Sequence, residues 1–476
     1  MFILPLTVIT IIVVECFIKL PFTITIKAVL YTAKKASKVL QSSNISDHWK
    51  EIVLLRYSLD IFKGTIKLFS YVIFCALLVL GIAVVMDNVF IFNPSIIEIL
   101  SSFKGVGNMT VISIIYYYLR KKKKPGDYNS RDKLLHKLVL GSQIIKAMSF
   151  DLDGLFAVKK KVYNNSQPKH VFICGLARAG TTIIMRTFYQ IGEFRSLTYR
   201  DMPFVLMPNV WRTFSGSNRR NTENKIRAHG DGIMVNIDSP EAFEEVFWTT
   251  FCQKDYITKD GLIPHIVNDE ILNKFRKYVS RIIMSSDSRQ QPRYLSKNNN
   301  NILRIPSIRK AFPKSIIIIP FRNPLSHAAS LLNQHQKFSE LHSKDSFSKN
   351  YFRWLGHYEF GAGHLPFIFK NTIHSKSIFK PNDINYWLNI WINTYSYLVT
   401  QNEVDCHYLC FESLCESPAE TLQQLLDDLD IQFNSDFLLE QFKLPKKKSI
   451  IGISRDIKKN AIKIYNELKS IHSEKE

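Results

Sequence analysis

The sequence predicts an α/β fold, a parallel sheet with helices on both faces, preceded by an α-helical membrane-anchoring region. Three observations carry this expectation. Short apolar runs at Val171–Cys174, Ser315–Pro320 and Val404–Phe411 have the length of buried strands. Each passes into a segment with helical spacing, and strands alternating with helices build a parallel sheet covered on both sides. The first 130 residues have a different texture, with apolar stretches too long for strands.

The chain has 476 residues and a net charge of +22, so its partners are expected to be anionic. Residues 1–124 carry 15 Lys/Arg and 6 Asp/Glu, and the remainder carries 48 and 35; no dense basic stripe suggests a nucleic-acid partner. The seven cysteines, Cys16, Cys75, Cys174, Cys252, Cys406, Cys410 and Cys415, lack zinc-ligand spacing, so no metal is expected.

Taken in order, Met1–Leu20 is apolar without a basic leader or cleavage site, and reads as a retained membrane segment. Leu68–Phe92 is the strongest membrane signal, with Asp87 near one end. A weaker run, Met109–Leu119, crosses only if residues from about 95 onward are included, and these contain Glu98 and Lys104. Residues 39–66 look amphipathic, as a helix lying along a membrane surface would. Basic clusters at Lys34, Lys35 and Lys38 and at Arg120–Lys124 place their flanks on the cytoplasmic side. The expected division is a helical anchor over 1–130 and an α/β domain over 131–476, the latter cytoplasmic at a bacterial inner membrane; the alternative, with the weak third run lying in the interface, inverts the α/β domain.

Pro125–Ser130 reads as a linker and Leu134–Met148 as a helix. The strand Val171–Cys174 then breaks into a turn bounded by Gly175 and Gly180, followed by a helix over Thr182–Ile191 that Gly192 stops. Backbone N–H groups and the helix dipole make such a turn an anion cradle. Its spacing, G-x-x-x-x-G-T-T, is P-loop-like, but Thr181 stands where a nucleotide-binding loop has lysine, and the cation is Arg178 inside the loop. That pattern suits a phosphate or sulfate and disfavours Mg²⁺-dependent nucleotide chemistry.

Further on, Pro240–Trp248 reads as a helix start with acids in its first turn. Ser315–Pro320 runs into Phe321-Arg322-Asn323-Pro324 and a helix over Leu325–Gln334. Trp387, Trp391 and Tyr395 recur at helical spacing within Asp383–Thr400 and read as core. Ser417-Pro418 and Glu420 open another helix. The lysine-rich stretch Lys443–Lys448 is either a solvated face or an anion contact.

The pairing of Gly175-Leu-Ala-Arg-Ala-Gly-Thr-Thr182 with Phe321-Arg-Asn-Pro-Leu-Ser-His-Ala-Ala-Ser330 resembles the sulfotransferase family. The resemblance runs from about Lys169 to Leu426 and implies a sulfuryl donor, 3′-phosphoadenosine 5′-phosphosulfate (PAPS). It implies that Gly175, Arg178, Ala179, Gly180, Thr181 and Thr182 cradle the 5′-phosphosulfate, and that Arg322 and Ser330 hold the 3′-phosphate. Lys297, in Leu295-Ser-Lys-Asn298, resembles the lysine that protein-tyrosine sulfotransferases place beside the transferring group. Two departures stand out: Ala179 replaces a common serine, and the acid usual about twenty residues past the loop has no match in register.

The resemblance implies catalysis by Arg178, Lys297 and Thr182 as donors to the sulfuryl and bridging oxygens. Asp201 is the expected general base, two positions out of register. His229, Asp231, Glu241 and Glu245 are candidates for an acceptor pocket, and the anchor suggests a carbohydrate or lipid-linked glycan acceptor. Two other readings stay open: an ATP-dependent small-molecule kinase of the same fold, which the absent loop lysine opposes, and a non-catalytic membrane scaffold.

Overall fold

The computed structural model describes residues 3–42, 46–89, 95–120, 130–157, 168–215, 225–226, 234–285, 292–370, 379–400, 405–431, 442–443 and 452–474. The chain forms two compact units, Met1–Asp127 and Tyr128–Glu476.

The first unit is helical: Ile3–Lys19, Phe22–Leu40, Asp47–Val89, Ile96–Ser101 and Phe103–Arg120. Among the described residues, Asp47–Asn88 is long and apolar enough to cross a membrane. Pro5–Lys19 and Phe22–Leu40, bent by 45° at their break, reach that standard only as a pair. Apolar side chains of the long helix face outward, with Leu55 66%, Phe69 65% and Leu77 62% exposed. Outward apolar side chains of this kind are what a bilayer can solvate.

Two expectations are corrected here. Residues 47–66 are not a separate surface helix, because the helical ladder continues unbroken into the apolar run. The third stretch, 95–119, is not one span: the helix Ile96–Ser101 ends at Ser102, which is extended, before Phe103 begins the next. Asp87 stabilises this arrangement by accepting from the N–H groups of Ile96 (2.8 Å) and Ile97 (3.4 Å).

The second unit holds the α/β fold. Its strands are β1 Val171–Ile173, β2 Phe194–Arg195, β3 Lys225–Ile226, β4 Met234–Val235, β5 Arg293–Lys297, β6 Ile316–Phe321 and β7 His407–Cys410. Five form a sheet in the order β2-β5-β1-β6-β7, all neighbours parallel, and β3 pairs with β4 in a separate antiparallel hairpin. The central strand is apolar throughout because both of its faces are covered.

Alternation along β1 separates the two cores. Phe172 faces Phe275, Tyr294 and Phe312 on the side of the helices Asp269–Met284 and Ile384–Val399. Val171 and Ile173 face the other way, with Ile184, Met185 and Phe188 of Thr181–Gln190 and Leu422 and Leu425 of Pro418–Asp428. The stripe of Trp387, Trp391 and Tyr395 lies buried in the first core, as its spacing predicts. The helix expected from Pro240 begins at Glu245 instead. Pro240 bridges Thr198, and the Glu241 N–H donates to Leu197 O at 3.0 Å, so those residues are held in an extended pairing.

Candidate active site

The site lies at the carboxyl edge of the sheet, where open α/β folds expose loops to ligands. Ile173 of β1 is level with Lys297 of β5 on one side and Ile318 of β6 on the other. Three consecutive strands therefore deliver the turn after β1, Lys297 and the Arg322 segment to one place.

The turn is shaped by backbone geometry. Arg178 has φ 71° and Gly180 φ 93°, the left-handed region. Gly180 is required twice over, since a Cβ there would also sit 2.4 Å from Phe411 Cδ2. As N-cap of the helix Thr181–Gln190 it brings no side-chain bond, so the first-turn N–H groups keep their anion-binding capacity.

Arg178 and Arg322 come together. Arg178 Nε donates to Ser330 Oγ at 3.3 Å, while Arg322 Nη1 donates to Arg178 O at 3.3 Å and Nη2 to Ser326 Oγ at 3.4 Å. The Arg322 guanidinium lies 5.4 Å over the Phe411 ring, the same ring that contacts Gly180. Burial pulls its pKa below the ordinary value; Glu412 partly offsets this, and the nearby Arg178 charge adds to the fall. Arg322 Nε is buried with no hydrogen-bond partner among the described residues. A buried donor and two neighbouring positive charges fit a phosphate-bearing ligand.

His327, on the helix Pro324–Lys344, supports the turn from below. Its Nε2 lies 2.8 Å from Ala177 O. Burial, and then the Arg322 charge, push its pKa down to about 3, so the ring is neutral and its Nε2–H donates to that carbonyl. Asn323 caps the same helix, its Oδ1 accepting from Leu325 N (3.1 Å) and Ser326 N (3.3 Å), with Pro324 at the first position.

A cavity opens in front of this turn, with Arg178, Thr181, Thr182, Lys297, His357 and Glu359 in its lining. Glu359 Oε1 accepts from Asn299 Nδ2 at 2.7 Å, and Oε2 lies 3.7 Å from His357 Nδ1. Burial alone would raise the pKa of this carboxyl. The hydrogen bond and charge of His357, the Lys297 charge and the Asn299 bond outweigh it and hold the group at about 2.

The run Asn298–Asn301, a low-complexity patch by sequence, is the scaffold of this wall. It folds as the 3₁₀ turn Asn299–Arg304 directly after Lys297. Asn298 Nδ2 donates to Glu245 (2.7 Å), Asn300 Nδ2 to Gly356 O (3.1 Å) and Asn301 Nδ2 to Glu244 (2.9 Å).

Asp201, the expected base, is placed away from the cavity. It is fully buried, and its oxygens accept from Arg195 Nη2 (3.1 and 3.0 Å), Thr198 N (2.7 Å) and Thr198 Oγ1 (3.0 Å). It caps a 3₁₀ turn and does not line the cavity. Glu245 and Glu241 do not line it either: Glu245 pairs with buried Arg304 at 3.0 Å, and Glu241 accepts from Tyr199 OH at 2.8 Å. His229 and Asp231 lie outside the described residues. Among the described residues no group of three His, Cys, Asp or Glu is placed to hold a metal ion.

Glu359 is the residue that sequence reasoning missed. It lies in His357-Tyr-Glu359, between Gly356 and Gly361, at φ 75° and 78°, in a turn whose tight packing a Cβ at either end would break; the glycines mark the turn in the sequence, but not the role of its acid.

Residues 168–374 match the model of the sulfotransferase family, a segment containing Arg178, Lys297, Arg322, Ser330 and Glu359. No curated protein matches the chain. Among solved structures, the chain is similar to sulfotransferase STF1 of Mycobacterium tuberculosis H37Rv, with 8% identity and TM-score 0.35 over 71% of this chain and 86% of that one. It is also similar to STF9 of Mycobacterium avium, with 12% identity and TM-score 0.34 over 78% and 83% of the two chains. A sulfotransferase of Alicyclobacillus acidocaldarius gives 13% identity and TM-score 0.32 over 65% and 93%. Likeness at this level assigns no residue a role.

Proposed function

Taking residues 168–374 as a sulfotransferase-family domain, we propose that the chain moves a sulfuryl group from PAPS to an acceptor hydroxyl. One observation carries the reading: Arg178, the helix N-terminus at Thr181 and Lys297 line one cavity together with the Glu359 carboxylate, and Arg322 donates to the backbone of Arg178 beside it.

The turn from Gly175 to Thr182 takes the 5′-phosphosulfate, and Arg322 with Ser330 takes the 3′-phosphate. Transfer runs in line. The bond between sulfur and the bridging oxygen breaks as a bond from sulfur to the acceptor oxygen forms. The electron pair leaves on the bridging oxygen of adenosine 3′,5′-bisphosphate, and the hydroxyl proton passes to Glu359. Charge that builds on the sulfuryl and bridging oxygens is met by Arg178, Lys297 and Thr182, fixed donors that need no reorganisation. Glu359 replaces Asp201 in the role of base because it faces the cavity and Asp201 does not.

The long apolar helix supports anchorage in a membrane, and with it an acceptor that meets the enzyme there. The basic clusters at Lys34, Lys35 and Lys38 and at Arg120–Lys124 support a cytoplasmic catalytic unit. Protease protection in right-side-out and inverted vesicles tests that orientation.

Binding of adenosine 3′,5′-bisphosphate tests the donor site directly. Arg322→Ala is expected to weaken it roughly 10- to 150-fold, the loss of charge-assisted hydrogen bonds. Arg178→Ala is expected to abolish transfer of labelled sulfate while the protein stays folded. Unchanged bisphosphate affinity in the first variant, or retained transfer in the second, defeats the assignment.

A further inference from the structure

We propose that the acceptor is an apolar alcohol, aliphatic or aromatic, seated in a second cavity that shares a wall with the anion site. The proposal rests on the sulfotransferase reading above. The second cavity is lined chiefly by Leu176, Leu262, Leu331, Leu365, Phe367 and Ile390. Ala177, Glu359 and Phe360 belong to both cavities, so the carboxylate proposed as base stands in the partition between them.

The polar groups of this second cavity are almost all engaged already. His364 meets Tyr358 O at 3.1 Å through Nδ1 and Tyr386 OH at 2.8 Å through Nε2, and burial pushes its pKa down to about 4, so it stays neutral. Trp387 Nε1 donates to Pro381 O at 2.7 Å, and Asn300 Nδ2 donates to Gly356 O at 3.1 Å. Two acceptors on the lining residues are left unsaturated. One is the Glu359 carboxylate; the other is Asn300 Oδ1, which is buried and has no partner among the described residues.

An alcohol suits this arrangement. Its hydroxyl donates to one of these oxygens, and its body rests on leucine, isoleucine and aromatic side chains. A sugar ring carries a hydroxyl on most of its carbons. Several of them would press against those apolar walls with nothing to bond, which a site of this kind rejects. The expected glycan hydroxyl therefore gives way to an alcohol of apolar body. With Glu359 in the partition, the hydroxyl is presented towards Lys297 and the turn, its proton going to the carboxylate and its oxygen to sulfur.

The test uses the full chain in lipid nanodiscs with labelled PAPS, offering 1-octanol and benzyl alcohol beside methyl glucoside and maltose. Label is expected in the alkyl and aryl sulfates and not in the sugars. Leu365→Trp, which narrows the apolar cavity away from the anion site, is expected to raise KM for 1-octanol tenfold or more while bisphosphate affinity is unchanged. Sugars labelled in preference to alcohols, or a KM that does not move, overturns the proposal and leaves the sulfotransferase reading standing. If no acceptor is labelled, saturable thermal stabilisation of the bisphosphate-bound protein by 1-octanol, lost in Leu365→Trp, supports the proposal; its absence in the unaltered chain refutes it. Failure of that chain to bind the bisphosphate sinks the sulfotransferase reading, and the acceptor proposal with it.

Discussion

The Glu359 carboxyl is held at about 2 because His357, Lys297 and Asn299 together outweigh its burial. The group is therefore ionised throughout the neutral range, an acceptor of hydrogen bonds and not a donor. Glu359→Gln keeps the shape and removes the acceptor; kcat is expected to fall roughly 10²- to 10⁴-fold with bisphosphate affinity retained. A loss of less than twofold in labelled transfer contradicts the base role. The same residue makes a statement about stability. An ordinary value of 4.5 and a folded value of about 2 make ionisation a source of folding free energy, on the order of 3 kcal/mol. That contribution is complete above about pH 4.5 and is lost as pH falls towards 2. Acid denaturation followed by circular dichroism is therefore expected to lose stability more steeply across that window in the unaltered chain than in Glu359→Gln.

Among the elements, the asparagine turn after β5 separates positioning from stability. Asn299 reaches Glu359, whereas Asn301 reaches Glu244 and accepts from Asn298 Nδ2 at 3.1 Å. Asn299→Ala is expected to lower kcat by up to ~100-fold, since the base loses the bond that orients it, with little change in melting. Asn301→Ala is expected to cost about 1–3 kcal/mol of stability by leaving buried partners unpaired. Kinetics and thermal unfolding on both variants check the contrast; equal effects on both readouts would refute it. Elements of this kind were unevenly legible. The strand at Val171 and the helix that follows Asn323 are local patterns of burial and spacing, and they begin within a residue of where the sequence places them. The helix at Glu245 starts five residues after Pro240 because a pairing with Thr198 and Leu197 overrides local propensity.

For the whole molecule, a buried ion pair ties the site wall to the core. Arg304, fully buried, pairs with Glu245 through both terminal nitrogens and lies 4.7 Å from the ring centroids of both Trp248 and Tyr256. Tyr256 OH donates to the same carboxylate, and Asn298 completes its set. Arg304→Met is expected to destabilise by about 3–5 kcal/mol, because it leaves the Glu245 charge buried without its partner. Denaturant unfolding measures it, and a loss below ~1 kcal/mol would mean the charge finds other compensation. The amino-terminal unit was partly legible at this scale. Composition marks the apolar run of the long helix, but not that the same helix begins at Asp47, nor that Asp87 helps to hold the break before Ile96.

The sequence by itself determined the anion cradle and its partner arginine. A strand, a left-handed turn and a helix are contiguous in the chain, so residue types and spacing alone specify where backbone N–H groups and Arg178 point. Only the tertiary structure decided which carboxylate reaches the cavity and which side chains line the space beside it. Asp201 and Glu359 differ in what the fold packs around them: one is consumed by Arg195 and a helix cap, the other faces an anion cavity and an apolar one. Long-range packing creates that distinction, and no local pattern encodes it.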